Sequence, residues 1–255
     1  VTSSTGFNAL IQGAAARHAS KIVLAFDLLV KDRKDLLAKS LQTLETLAPY
    51  ICAVKINRHL VLPLGVYPAV ERLVRVAHDL DLPVIMDCKL NDIGATNREI
   101  ARHYFAAGFD ALTANPFVGW DDGLEPVFTL ARAFDKGVLL LVYMSHRGAG
   151  DGYGQMVVDS RTGRQRRQYV VFAERAVDWG ADGVVVGATY PEKIREVAHV
   201  LQNRIPIYSP GIGVQGGAVN AVIEAGASYC IVGRSILLAP DPVAAVKTFQ
   251  KRLRE

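Results

Sequence analysis

The chain has 255 residues, 50% hydrophobic and 21% charged, which excludes a disordered polymer and suffices for one sizeable buried core. Its longest uninterrupted apolar run, Val138–Met144, falls far short of the roughly 18 residues of a membrane span. The start carries no signal-peptide pattern, so a soluble, cytoplasmic protein is expected. A net charge of +4 is compatible with nucleic acid or with a small multiply charged anion as partner. The densest basic stretch, Arg161–Arg167, has no interleaved aromatic residue to stack bases; it reads as a solvated loop, and no nucleic-acid partner is expected.

In chain order, a helix near Phe7–Ala16 precedes a strand at Ile22–Phe26. Further strands are predicted at Ile51–Ile56, Pro83–Cys88, Ala111–Ala114, Val138–Tyr143, Gly183–Val186, Ile207–Ser209 and Tyr229–Val232. Helical patterns at Leu36–Leu47, Ala69–Leu80, Asn97–Ala107 and Pro191–Leu201 lie between them. Near-continuous apolar strands alternating with amphipathic helices mean a parallel sheet covered by helices. Eight such units fit an α/β fold, a (β/α)8 TIM barrel with a short additional N-terminal helix and a single domain over residues 1–255. A doubly wound sheet is the fallback, although it more typically uses fewer strands.

The longest interval between strands follows Tyr143 and holds Ser145–Gly154 and then the basic loop. Connections after barrel strands face the catalytic side, so this one is a candidate lid or specificity loop. The three cysteines, Cys52, Cys88 and Cys230, form no Cys-x-x-Cys pair and read as small core residues.

The strongest chemical signal is Asp87-Cys-Lys89-Leu-Asn-Asp92. Strand alternation puts Asp87 and Lys89 on one face with Ile85, and Val84, Met86 and Cys88 on the other. A structural ion pair would also explain the two charges. Their place at the C-terminal rim of a barrel favours function, because charges in a core strand are costly unless paired. The first strand runs out at Asp27 and the second carries Lys55, so neighbouring strands bring Asp27, Lys55, Asp87 and Lys89 to one rim with Asp92 just beyond. Two lysines among acids make an alternating network electrostatically feasible.

A second signal is the pair of glycine-bearing turns Pro210-Gly-Ile-Gly213-Val-Gln215-Gly-Gly217 and Gly233-Arg234-Ser235. Glycine lets backbone N–H groups approach an anion, and barrels commonly bind phosphate after these strands. Arg234 would add a charge-assisted contact. The six histidines show no metal-binding spacing, and Lys55 would repel a divalent cation, so no metal is expected. Ser145 and His146 are sequence neighbours that point apart and make a poor nucleophile pair.

Together, Lys55-Ile56, Asp87-x-Lys89-x-x-Asp92-Ile93, Met144-Ser145-His146, the Pro210 loop and Val232-Gly-Arg234-Ser resemble the orotidine 5′-monophosphate decarboxylase family, closest to its archaeal branch. The resemblance implies cofactor-independent loss of CO2 from orotidine 5′-monophosphate to give UMP in pyrimidine synthesis. It implies Lys89 as the acid that protonates C6, Asp87 beside the substrate carboxylate, and Asp27 and Lys55 on the ribose hydroxyls. It implies Ser145 at the pyrimidine edge, Pro210 on the ring, and Gln215, Gly233 and Arg234 at the phosphate. It further implies a homodimer in which Asp92, Ile93 and Thr96 complete the neighbouring site. The segment after Ser145 is longer than the compact archaeal pattern. Two other readings compete. One is a magnesium-dependent sugar-phosphate decarboxylase or aldolase of the same superfamily, which would want an acid where Lys55 stands. The other is a noncatalytic barrel binding a phosphate ligand or RNA.

Overall fold

The computed structural model describes residues 6–28, 32–159, 162–213 and 217–253. Eight parallel strands close into a barrel: β1 Ile22–Ala25, β2 Ala53–Asn57, β3 Val84–Leu90, β4 Ala111–Ala114, β5 Gly137–Tyr143, β8 Gly183–Val186, β9 Ile207–Pro210 and β10 Tyr229–Val232. They follow one another in sequence order around the barrel, with β10 pairing back onto β1. An antiparallel pair, β6 Met156–Val158 and β7 Gln165–Arg167, forms a separate ribbon between β5 and β8. The expected barrel and its additional first helix, Gly6–Arg17, are therefore present. β1, β4, β5, β8 and β10 are buried along their whole length, as apolar strands covered on both faces must be. Each fully buried Val, Leu or Ile there stabilises the fold by roughly 1.5–3 kcal/mol relative to exposure.

Several boundaries differ from the sequence expectation, for local reasons. β2 starts at Ala53 rather than Ile51, because Ile51 closes the preceding turn through its N–H to Ala48 O. It continues past Ile56 to Asn57, which pairs with Asp87. β3 extends to Leu90 through a register shift against β4 between Met86 and Leu90. The helix expected at Ala69–Leu80 is Glu71–Asp79, preceded by an irregular turn at Val66–Val70 in which Tyr67 has non-helical angles. The helix expected from Asn97 already begins at Gly94, where a Cβ would lie 2.8 Å from Asp122 O.

The basic stretch is not a simple solvated loop. Its described part enters the β6–β7 ribbon, where Arg166 pairs with Asp159 at 2.5 Å and with Glu174. No described ribbon residue lines the cavity at the C-terminal mouth. Arg161 lies outside the described residues.

At the N-terminal end of the barrel, side chains take N–H groups near the start of three strands. Asp110 accepts from Val84 N at 2.9 Å, Asp182 from Val138 N at 2.8 Å, and Ser228 from Ile207 N at 3.2 Å. Asp110 is also held by His78 at 2.8 Å and Lys136 at 3.0 Å. Across the barrel floor the Tyr208 and Tyr229 rings stack at 4.9 Å. Gly183 makes room for them, since a Cβ there would come within 2.4 Å of the Tyr208 ring. The three cysteines are free and buried, as expected, and burial pushes the Cys88 and Cys230 thiols up to about 12.

Candidate active site

Strand register brings the rim residues together. Ala25 pairs with Lys55, Lys55 with Ile85, and Asn57 with Asp87, so the inward positions of β1 to β3 climb side by side to the mouth. Asp87 sits at the centre. One carboxylate oxygen takes the Lys55 ammonium; the other takes Lys89 Nζ at 2.7 Å and the Thr113 hydroxyl at 2.9 Å. Lys55 and Asp87 are buried and Lys89 is half-buried. Burial alone would raise the Asp87 carboxyl, but the charges and hydrogen bonds of Lys55 and Lys89 outweigh it and hold it well below the usual carboxylate range. The Asp87 carboxylate thus lies between the side-chain nitrogens of Lys55 and Lys89.

The alternation that places Asp87 and Lys89 on one face holds, but not through regular strand geometry. Lys89 has φ +50°, a left-handed conformation rare for a residue with a Cβ. Its N–H is taken by Thr113 Oγ1 at 3.0 Å instead of a strand carbonyl. Nearby, Arg58 anchors the same turn by donating to Cys88 O at 2.7 Å. On the other side Asn57 Nδ2 donates to Asp27 Oδ1 while Asn57 Oδ1 accepts from His59 N at 2.7 Å. Asp27 is thus fixed by the end of β2.

Above this array lies a cavity of about 500 Å3, lined by Asp27, Lys55, Ser145, Pro210, Gly233 and Arg234 among others. Asp87 and Lys89 adjoin it through Lys55 rather than lining it directly. Its far wall is the pair of glycine-bearing turns. Gly211 has φ +96°, and a Cβ at Gly233 would crowd Ala25 O at 3.0 Å. Ser235 Oγ ties the two turns together by donating to Ile212 O at 3.3 Å. Exposed Arg234 stands at the rim. Gln215 lies outside the described residues.

Ser145 is held from behind by the connection after β8. Thr189 Oγ1 donates to Ser145 O at 3.2 Å, and Tyr190 OH to His146 O at 3.2 Å. Gly187 packs so closely that a Cβ would lie 2.6 Å from Ser145 Cα.

The chain by itself does not bring Asp92, Ile93 and Thr96 to this cavity. All three are exposed, and Asp92 turns back to accept from Ile93 N at 2.8 Å. Asn57, Thr113, Thr189 and Tyr190 were not anticipated from sequence. Thr113, a hydroxyl in an otherwise apolar strand that alternation points inward, carried the one signal that could have revealed a partner for Asp87.

A closed (β/α)8 barrel with a buried ammonium–carboxylate–ammonium array and a cavity at its C-terminal mouth is the architecture of a barrel enzyme. Comparison with known proteins makes the class specific. The model of the orotidine 5′-phosphate decarboxylase / HUMPS family matches residues 20–249, and the chain belongs to that family. It is 35% identical to the orotidine 5′-phosphate decarboxylase of Methanosarcina mazei over 88% of this chain and 90% of that one. Among solved structures, the Leishmania donovani OMP decarboxylase superposes with a TM-score of 0.84 at 27% identity, covering 97% of each chain. The Methanocaldococcus jannaschii orotidine 5′-monophosphate decarboxylase, complexed with the inhibitor BMP, superposes with a TM-score of 0.76 at 28% identity, covering 92% of this chain and 99% of that one.

Proposed function

We propose that this chain, as one catalytic domain over residues 1–255, converts orotidine 5′-monophosphate to UMP and CO2 in the cytoplasm, with no metal or cofactor. The observation that carries the reading is the Lys55–Asp87–Lys89 array beside a cavity whose opposite wall is built from glycine turns and Arg234. Among the described residues no helix is long and apolar enough to cross a membrane.

In this reading Gly233, Arg234 and Gln215 hold the phosphate. Pro210 covers the ring, Ser145 meets the pyrimidine edge, and Asp27 with Lys55 takes the ribose hydroxyls. The substrate carboxylate then lies against Asp87, and like charges at close range raise the energy of the bound substrate. The C6–carboxylate bond breaks, its electron pair stays on C6, and CO2 leaves. The Lys89 ammonium stabilises that developing charge and delivers a proton to C6. Neutral Lys89 recovers its proton from water. Binding energy from the remote phosphate holds the reacting end in place.

The exposed Asp92, Ile93 and Thr96, with exposed apolar Leu62, Tyr67 and Phe117 on neighbouring connections, support a homodimer in which each chain finishes the other's site. Mixing inactive Lys89→Ala and Asp92→Ala chains tests this, because one intact site per mixed dimer restores activity if sites are shared. Ultraviolet-monitored loss of orotidine 5′-monophosphate after dialysis against EDTA tests the reaction itself. No conversion by folded protein, with activity on a sugar phosphate once magnesium returns, would assign the chain to the metal-dependent branch instead.

A further inference from the structure

We propose that Thr113 is a positioning residue for the proton donor, setting both the backbone of Lys89 and the rotation of the Asp87 carboxylate; the inference rests on the decarboxylase reading. Thr113 is 1% exposed and its neighbours in β4, Ala111, Leu112 and Ala114, are apolar. Its hydroxyl is committed on both sides. Oγ1 accepts the Lys89 N–H at 3.0 Å and donates to Asp87 Oδ1 at 2.9 Å.

These two bonds answer separate problems. The register of β3 against β4 shifts between Met86 and Leu90, and the left-handed turn at Lys89 removes its N–H from the regular ladder. The ladder resumes only where Asn115 N donates to Leu90 O at 2.8 Å. Thr113 Oγ1 supplies the acceptor that the shift takes away, so it holds the residue that carries the proton in a conformation the chain would otherwise leave. A hydroxyl has one proton, and that proton goes to Asp87. Oδ1 is then shared between the Thr113 hydroxyl and Lys89 Nζ while the Lys55 ammonium occupies Oδ2. Two lysines on long unbranched stems define the rotation of a carboxylate between them less sharply than a short side chain does. A third donor, fixed on a rigid strand, sets which oxygen faces Lys89.

A side chain that only closed a gap would be replaced by its isostere without a rate effect. Thr113→Val keeps the shape and removes both bonds, whereas Thr113→Ser keeps the hydroxyl and loses a methyl group. The expected result for Thr113→Val is a fall in kcat of about 10- to 100-fold with binding of UMP unchanged within about threefold, since the phosphate and base contacts are elsewhere. Thr113→Ser restores kcat to within about threefold of the parent. Wild-type kcat in Thr113→Val overturns the inference, as does a joint loss of kcat and UMP affinity that Ser does not restore. If Thr113→Val fails to fold, Thr113→Ala read against Thr113→Ser gives the same split. A parent enzyme that turns over no orotidine 5′-monophosphate removes the decarboxylase reading and this inference with it. An active parent beside an unaffected Thr113→Val removes this inference alone.

Discussion

Replacing Lys89 with alanine separates chemistry from folding. The ammonium lies 2.7 Å from Asp87 Oδ1, yet its side chain is 33% exposed and Asp87 keeps the Lys55 ammonium and the Thr113 hydroxyl when it is removed. The lost contact is one partly solvated charge-assisted hydrogen bond, about 1 kcal/mol after allowing for solvent. In a protein of this size that lowers Tm by about 2–4 °C. The rate effect is far larger. A positioned general acid supplies about 10²- to 10⁴-fold, which at 1.36 kcal/mol per decade is roughly 3–5 kcal/mol of barrier. Ultraviolet-monitored turnover in EDTA, with Tm and UMP affinity measured on the same preparation, reads all three quantities. Well-folded Lys89→Ala that binds UMP and turns over within tenfold of the parent would refute the assignment of Lys89 as proton donor. The left-handed backbone adds an internal check. Glycine tolerates φ +50° and alanine does not, so Lys89→Gly is expected to be more stable than Lys89→Ala by about 1 kcal/mol, despite glycine's greater unfolded-state entropy.

Because the folded-state pKa of Asp87 is depressed by its two lysines, its contribution to stability is present above about pH 4, the value of a free aspartate, and is lost as pH falls below it. Unfolding measured between pH 5 and pH 2 should therefore decline less steeply in Asp87→Asn than in the parent, even though the variant starts lower; equal slopes would sink the coupling. Gly187→Ala puts a Cβ 2.6 Å from Ser145 Cα and 2.8 Å from Ser145 N, so that backbone must move. UMP affinity measured by calorimetry should weaken by about tenfold or more, and unchanged affinity would detach Ser145 from the base. The Tyr208 hydroxyl is buried without a hydrogen-bond partner among the described residues. Tyr208→Phe removes that cost and should raise stability by about 1 kcal/mol in denaturant unfolding; a loss of stability would mean the hydroxyl has a partner.

The barrel was legible because its strands are short apolar runs at regular intervals, and the rim because charges in such runs stand out. Lys55, Asp87 and Lys89 announce themselves in that way. Thr113 does not: threonine is an ordinary strand former without charge, and its importance depends on the register of β4 against a strand distant in sequence. Asn57 escapes a reading by apolar runs, because the run ends at Ile56 while the pairing with Asp87 carries the strand one residue further. Nothing in the motif marks Lys89 as left-handed, since the usual signals for that conformation are glycine and asparagine. The β6–β7 ribbon is hidden because β6 offers only the short apolar run Met156–Val158 and its partner Gln165–Arg167 is wholly polar. Asp92 stands out as a charge just past the end of β3, whereas the roles of Ile93 and Thr96 rest on resemblance, because the packing of exposed side chains within this chain gives them no task.

The stacked Tyr208 and Tyr229 beneath Gly183 have a bearing on traffic. The cavity at the mouth and a second, larger depression at the opposite end, reached by Tyr229, share no lining residue. Among the described residues each hollow has walls of its own. With Tyr208 and Tyr229 stacked across the base, a small product formed at the upper end is expected to leave on the side from which the nucleotide arrives. Substrate and both products then share the mouth that Pro210 and Gly233 border, and crowding there bears on arrival and departure alike.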